Sequence, residues 1–282
     1  MKKNFGTSEI DAGTQPARLG RFSGEAFSSA ALATDETLDA LFGGGLQLYQ
    51  KKQGYRFSID SILLADFATI RSASKVIDLG TGNGVVPLIL AYRYSSILLT
   101  GIEIQRQMAD RAARNIRLNG YEDRIVIEQM DIASTVERFK PESFDVVVCN
   151  PPYRQTTSGR LSLSSEKQIA RHEIKANLND FVRAAAFLLK NKGCFACIQL
   201  GDRTVDLVSA MRSAGLEPKR LRTVHAFSET KASTVLVEAV RGGRRGVDIL
   251  PPLIIYDSAK NYTAELNAIA AGLRVPSKPA QL

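Results

Sequence analysis

The sequence predicts an α/β fold, a three-layer sandwich in which helices cover both faces of a mostly parallel sheet. From Lys75 onwards, short apolar segments alternate with segments of helical periodicity. Repeated strand–helix units of this kind build parallel sheets that are covered on both faces. The last two apolar segments, 219–227 and 233–240, have no helix between them, which predicts an antiparallel pair.

The order of elements follows from apolar periodicity and from glycine and proline positions. Strands are predicted at 75–79, 97–104, 124–129, 144–150 and 194–200, and helices at 84–94, 105–119, 177–190 and 203–214. Upstream, 46–60 predicts a short hairpin that leads into a helix at 58–69. The chain is therefore expected to comprise a loose N-terminal segment (1–40), a hairpin and helix that pack on the ligand site (41–74), the main domain (75–242) and a C-terminal extension (243–282) with a disordered end.

The composition is that of a soluble globular protein, with 44% hydrophobic and 23% charged residues among 282. Lys and Arg total 37 against 29 Asp and Glu, a net charge of +8, which favours polyanionic partners and nucleic acid above all. The apolar runs are too short to span a bilayer, and no apolar stretch follows the N-terminal lysines. A cytoplasmic protein without membrane contact is expected.

Three cysteines make no disulfide framework. Cys194 and Cys197 have the spacing of a metal or redox pair, but they lie in a predicted strand, where positions i and i+3 point to opposite faces. Core cysteines and no metal are the expectation.

A glycine-rich loop follows the first strand of the main domain. The sequence DLGTGNG (78–84) leaves that strand and enters a helix, and its glycines permit a tight turn in which helix N–H groups point at a ligand. The dinucleotide fingerprint would need its last glycine at position 85, which is valine, so a nicotinamide cofactor is disfavoured.

Two carboxylates follow the next two strands. Glu103 ends the second strand, 19 residues after Gly84, where it can accept hydrogen bonds from both hydroxyls of a ribose. Asp131 follows the third strand and is placed to accept from an adenine amino group. Because the carboxyl ends of parallel strands meet at one edge, the loop and both carboxylates predict an adenosine-shaped site rather than a purely structural turn.

The fourth strand ends at that edge with Asn150, Pro151, Pro152 and Tyr153. Each proline restricts the residue before it to extended geometry, so the Asn150 side-chain oxygen and the Pro151 carbonyl are two stiffly held acceptors. They suit a planar –NH₂ group, and Tyr153 offers a face for a planar ring. Accepting both N–H bonds localises the nitrogen lone pair for in-line attack on a methyl group, so catalysis would rest on positioning and charge stabilisation. A turn with a packed tyrosine is the simpler interpretation.

Taken together, VIDLGTGNG, GIEI, MDI and DVVVCNPPY resemble the motif series of class I S-adenosylmethionine-dependent methyltransferases that act on planar nitrogens. The resemblance implies a Rossmann-like, seven-stranded sheet with the last strand antiparallel. It also implies catalysis by the Asn150–Tyr153 segment, with S-adenosylmethionine as cofactor. The implied cofactor-binding residues are Asp78, Gly80, Thr81, Gly82, Asn83, Glu103, Ile104, Asp131, Ile132 and Asn150, with Tyr55, Phe57 and Asp60 helping to close the site.

Three groups within this superfamily use the same tetrapeptide: N6-adenine enzymes, guanine-N2 enzymes of ribosomal RNA, and glutamine methylases of release factors. The flanking segments LQLYQKKQGYRFSIDSILLADFA, IARHEI and YTAEL are similar to those of the bacterial valine-tRNA adenine-N6 methyltransferases. That resemblance implies a monomer that methylates the purine just 3′ of the anticodon. Release-factor methylases usually carry a helical N-terminal domain, for which the 74 residues before Lys75 leave little room. A non-catalytic nucleotide-binding module is the remaining alternative.

A basic, serine-rich segment follows Tyr153. A loop that orders on an RNA backbone would use such cations, although a solvated loop accounts for any one of them equally well. The candidates for RNA binding are Arg154, Arg160, Lys167, Arg171 and Lys175.

Overall fold

The structure, a computed structural model, describes residues 33–53, 56–152 and 177–273. Its first element is an antiparallel hairpin of β1 (Glu36–Leu41) and β2 (Leu46–Lys51). The connecting turn carries positive φ at Gly43 and Gly44, which glycine permits, and also at Phe42.

The hairpin begins earlier than predicted. The sequence predicts that residues 36–40 are loose and that 46–60 form the hairpin, whereas residues 46–51 are its second strand and pair with 36–41. The reason is that β1 (ETLDAL) is a polar strand whose Glu36 is buried against arginines far along the chain. The apolar periodicity of residues 36–41 therefore does not indicate a strand.

The main sheet confirms the predicted fold. Its strands are β3 (Lys75–Leu79), β4 (Leu98–Glu103), β5 (Ile125–Gln129), β6 (Phe144–Cys149), β7 (Leu189–Leu200), β8 (Leu216–His225) and β9 (Ala232–Arg241). They lie in the order β8-β9-β7-β6-β3-β4-β5, and β9 is antiparallel to both neighbours. Two short strands from the C-terminal extension, β10 (Asp248–Ile249) and β11 (Leu253–Ile254), add to β8 in parallel.

Helices cover both faces of this sheet. They are α1 (Ile59–Phe67), α2 (Val85–Arg93), α3 (Arg106–Leu118), α4 (Thr135–Arg138), α5 (Leu178–Leu188), α6 (Thr204–Ser213) and α7 (Ala264–Ala270). One apolar cluster joins the sheet to the hairpin, α1, α2 and α7, and a second joins it to α5 and α6. The layers are those of the predicted sandwich. None of the helices in the described ranges is long and apolar enough to cross a membrane.

Strand β7 starts five residues before the predicted strand. The sequence places a helix to 190 and a strand from 194, whereas β7 runs from Leu189. Its pairing with β6 shifts register between Phe144 and Val146, and Lys192 has a φ of +62°. The bulge absorbs the extra residues. The core interpretation of the cysteines is confirmed, since Cys149, Cys194 and Cys197 are all buried free thiols.

Helix α1 is clamped to the sheet at its carboxyl end. Glu238 on β9 accepts hydrogen bonds from the Thr69 amide (2.7 Å) and hydroxyl (2.9 Å), and it pairs with buried Arg220 at 3.1 Å. The Arg220 guanidinium lies over the Phe67 ring, 4.5 Å from its centroid. This clamp fixes the direction in which the amino end of α1 approaches the sheet edge.

Candidate active site

The site is built where β3, β4 and β6 end. Leu79 on the central strand β3 is in register with Ile102 on β4 and with Cys149 on β6. Neighbouring strands lie about 4.8 Å apart, so the residues that follow these three begin side by side at one edge. The register therefore places the glycine loop, Glu103 and Asn150 together.

The glycine loop is held by backbone hydrogen bonds to the neighbouring strand. The amides of Gly80 and Thr81 both donate to the carbonyl of Ile102, at 2.9 and 2.8 Å. Gly84 has a φ of +80°, and a Cβ there would lie 3.1 Å from the Cβ of Ala112 on α3. Only glycine tolerates both the angle and the close approach, so the loop turns tightly into α2.

Glu103 is buried at the end of β4 and linked to the loop. One carboxylate oxygen accepts from the Gly82 amide at 3.0 Å and the other from the Gln105 amide at 2.9 Å. Burial raises the pKa of Glu103, while these backbone hydrogen bonds oppose the rise. Each oxygen has a second lone pair, so the carboxylate can still accept from ribose hydroxyls as predicted.

Two buried oxygens of the loop fit a polar cofactor. Oδ2 of Asp78 and Oδ1 of Asn83 have no hydrogen-bond partner among the residues that the structure describes. Burial raises the pKa of Asp78 to about 7, with Thr81 opposing the rise and nearby Glu103 adding to it. Buried acceptors of this kind normally find a partner, and the N–H and O–H donors of S-adenosylmethionine would supply one.

Asn115 on α3 joins the loop to the hairpin. Its amide nitrogen donates to the carbonyls of Asn83 (2.9 Å) and Tyr49 (3.2 Å), and its oxygen accepts from the Tyr49 amide (2.7 Å). The side chain is fully buried. One amide therefore holds β2 and the loop at a common position.

The predicted cofactor-binding residues Asp131, Ile132 and Ile104 continue the same edge. The Met130 amide donates to the Glu103 carbonyl at 3.0 Å, which brings Asp131 next to the end of β4. One oxygen of Asp131 accepts from the Ala133 amide at 3.0 Å and caps a short 3₁₀ turn. Ile132 in that turn is buried, and Ile104 is half-buried at the start of the β4–α3 connection.

The segment before α1 is tied to the hairpin. The Phe57 amide donates to the Gln50 side chain at 3.0 Å, and Arg56 donates to the Lys51 carbonyl at 2.8 Å. Asp60 lies in the first turn of α1, where it accepts from the Ser58 hydroxyl at 3.0 Å. The predicted closing residue Tyr55 lies outside the described residues.

Asn150 follows β6 directly, and its side-chain amide nitrogen lies 3.5 Å from the hydroxyl of Ser61 on α1. Pro151 is buried and Pro152 is exposed. Burial raises the pKa of the preceding Cys149 thiol well above its ordinary value, so that thiol stays neutral and poorly nucleophilic. Tyr153 and the five basic candidates for RNA contact lie outside the described residues.

Sequence reasoning missed three residues of this region: Ser61, Asn115 and Phe181, whose ring lies 3.4 Å from a Cβ built on Gly80. For Asn115 a signal exists, since it and Asn119 stand four apart on an amphipathic helix and both bond to β2. For Ser61 and Phe181 the sequence carries none. Within the described ranges, no group of three or more His, Cys, Asp or Glu residues could hold a metal ion.

Residues 57–199 match the family model described as methyltransferase small domain. A tRNA1(Val) (adenine(37)-N6)-methyltransferase of Porphyromonas gingivalis is 30% identical over 219 residues, which cover 74% of this chain and 85% of that protein. The protein of the same name from Phocaeicola vulgatus is 28% identical over 191 residues, covering 67% and 79%.

Among solved structures, a predicted O-methyltransferase from Agrobacterium tumefaciens superimposes with a TM-score of 0.64 at 22% identity. It covers 77% of this chain and 98% of that one. At this identity the likeness shows a shared fold.

Proposed function

The chain belongs to the methyltransferase small-domain family and is an S-adenosylmethionine-dependent methyltransferase, and from this premise we propose that it methylates the exocyclic N6 of an adenine in tRNA. The acceptor is the unpaired purine just 3′ of the anticodon. An unpaired base costs less to splay into a pocket than a base in a duplex.

The observation that carries the proposal is the position of Asn150 beside the glycine loop. The residue before it, Cys149, is in register with Leu79, which leads straight into Gly80, so the amide follows β6 at the cofactor-binding edge. Asn150 is followed by a proline and then by a second one, which restrict the segment to extended geometry. The relatives that carry the name of a tRNA adenine-N6 methyltransferase support the choice of acceptor.

The chemistry assigned to these residues is positioning. When bound, S-adenosylmethionine supplies a methyl group made electrophilic by a sulfonium. The Asn150 oxygen and the Pro151 carbonyl accept the two N–H bonds of the adenine amino group. This draws the nitrogen towards tetrahedral geometry, localises its lone pair and stabilises the positive charge that develops there. No general base is required until the product ammonium releases its proton.

The acceptor is tested by incubating the protein with labelled cofactor and, separately, total tRNA, ribosomal RNA, DNA or release factors. The expected product is N6-methyladenosine in tRNA. A valine tRNA whose adenine 3′ of the anticodon is replaced by guanine is the matched control and stays unlabelled. Labelled guanine-N2 in ribosomal RNA, or labelled release factor with unlabelled tRNA, would replace the proposal with the corresponding alternative.

The role of Asn150 is tested by Asn150→Ala. Turnover should fall at least about tenfold, because one acceptor bond lost from the transition state costs more than about 1.4 kcal/mol. Binding of S-adenosylmethionine, measured by calorimetry, should persist because the glycine loop and Glu103 are intact. Normal turnover in this variant would contradict the positioning role.

A further inference from the structure

We propose that Ser61 is a positioning residue that sets the orientation of the Asn150 amide. The inference rests on the proposed function and concerns how one atom of the site is presented. An asparagine amide has an oxygen on one side and an –NH₂ group on the other, and only the oxygen can accept from the adenine amino group. If the Asn150 amide were flipped, its –NH₂ group would face the adenine amino group, and two donors cannot hydrogen-bond to each other.

The structure pairs the amide nitrogen of Asn150, rather than its oxygen, with a hydroxyl. In the described part of the chain, its Nδ2 lies 3.5 Å from Ser61 Oγ. This engages the nitrogen and leaves the oxygen as the free side of the amide. Hydrogen bonds of catalytic groups are often long before substrate binds and shorten in the complex.

Ser61 places a hydroxyl group in an otherwise apolar stretch of helix α1. The residues that follow it, Ile62 to Ala65, are all buried, and Ser61 itself is only 2% exposed. A buried hydroxyl without a partner is unfavourable, and packing would be served equally well by alanine, the better helix former. The contact with Asn150 supplies a reason for serine at this position.

The helix holds Ser61 at a defined place. Helix α1 contacts β6 and β7, and its far end is clamped by the Glu238–Arg220 pair through Thr69. The Ser58 side chain caps its amino end. The hydroxyl is therefore a rigid reference point beside the end of β6, which suits a group that must choose between two amide orientations.

The test is a double-mutant cycle with Ser61→Ala and Asn150→Ala. Ser61→Ala should lower kcat on tRNA about three- to tenfold, the range for one hydrogen bond, with the KM for tRNA and the Kd for S-adenosylmethionine unchanged. Added to Asn150→Ala, it should cause no further loss, because Ser61 acts only through that amide. Ser74→Ala, which truncates a buried serine at the opposite end of β3, is the matched control and should keep full activity.

A second measurement detects the contact between Ser61 and Asn150 in the absence of RNA. By NMR, one Nδ2 proton of Asn150, assigned by its absence in Asn150→Ala, should be protected from exchange in the unaltered protein and unprotected in Ser61→Ala. An unchanged kcat in Ser61→Ala, an equal loss in the Asn150→Ala background, or unchanged proton protection would overturn the inference. If the unaltered protein leaves tRNA unmethylated, the proposed function fails, and the proton protection still decides whether Ser61 holds the amide.

Discussion

The glycine loop and the N-terminal hairpin meet at Asn115, but they are held in different ways. The loop is fixed by its own backbone amides, which donate to the Ile102 carbonyl and the Glu103 carboxylate of the next strand, no more than 22 residues away. The hairpin is fixed by side chains of α3, 66 to 78 residues away. The parallel sheet therefore builds the loop as it folds, whereas the hairpin depends on a few side-chain contacts that single substitutions can remove.

The largest expected effect is a loss of stability when Glu36, whose ion pairs hold the hairpin, is substituted. Glu36 is 3% exposed and pairs with Arg111 at 2.9 Å and Arg114 at 2.8 Å. Glu36→Gln leaves both guanidinium groups without their carboxylate and should lower the free energy of unfolding by about 3 kcal/mol. Urea denaturation measures this change in the free energy of unfolding. Asp110→Asn, which breaks an exposed pair on the same helix, is the control and should change stability by less than about 0.5 kcal/mol.

The second-largest effect is expected for Asn115, which connects the glycine loop to the hairpin. Asn115→Ala removes three buried hydrogen bonds, to Tyr49 and to Asn83, and should lower the free energy of unfolding by about 2–3 kcal/mol. It should also weaken cofactor binding because the loop loses its hydrogen bond to α3 through the Asn83 carbonyl. Asn119→Ala is matched to it, since Asn119 bonds to Gln47 on the same strand but not to the loop.

Calorimetry with S-adenosylmethionine separates these two asparagines. Asn119→Ala should leave the Kd unchanged and lower stability by about 1 kcal/mol, since its half-buried groups can bond to water instead. If both variants weaken cofactor binding equally, the hairpin as a whole supports the loop and the distinction between the two regions is wrong.

A smaller effect is expected when the loop side is altered. Glu103→Ala removes the acceptor of the Gly82 amide and the predicted acceptor of the ribose hydroxyls, so affinity for S-adenosylmethionine should fall about 10- to 100-fold. Glu128→Ala, on the adjacent strand β5, is the control because its ion pair with Arg138 lies at the surface. An unaltered Kd in Glu103→Ala would exclude the carboxylate from the ribose site.

The smallest effect is a pH dependence of the loop. Burial raises the pKa of Asp78 to about 7, so its carboxyl is neutral at pH 5 and ionised at pH 8. The cofactor is cationic at its sulfonium and ammonium groups, so its affinity should rise by no more than about tenfold in total between pH 5 and pH 8 as Asp78 ionises. Asp78→Asn should abolish that slope; an identical slope in this variant would assign the titration to another group, such as Glu103.

Stability of the cofactor-free protein should change in the opposite direction. Because the folded pKa of Asp78 lies above its ordinary 3.8, the folded state binds more protons between about pH 4 and pH 7. The contribution of Asp78 therefore makes the protein less stable as pH rises through that window, and Asp78→Asn should flatten the profile measured by urea denaturation.

The sequence made the candidate site at the sheet edge predictable because each of its parts lies within a few consecutive residues. Each of the segments DLGTGNG, GIEI and DVVVCNPP contains both a strand and the residues that follow it, and parallel strands bring those residues to one edge wherever the strands pair. The order of elements and the closing antiparallel pair followed from the same periodicity. Strand β1 did not, since its burial depends on Arg111 and Arg114 rather than on its own apolar pattern.

The sequence by itself determined the class of sheet, the glycine loop, the carboxylate of Glu103 and an asparagine held by prolines, because backbone geometry and strand periodicity are encoded within a few residues. Only the tertiary structure decided which distant side chains complete the site. Asn115 reaches two segments at once, and Ser61 meets Asn150 across 89 positions of the chain. Such contacts depend on the packing of α1 and α3 against the sheet, which no local pattern specifies.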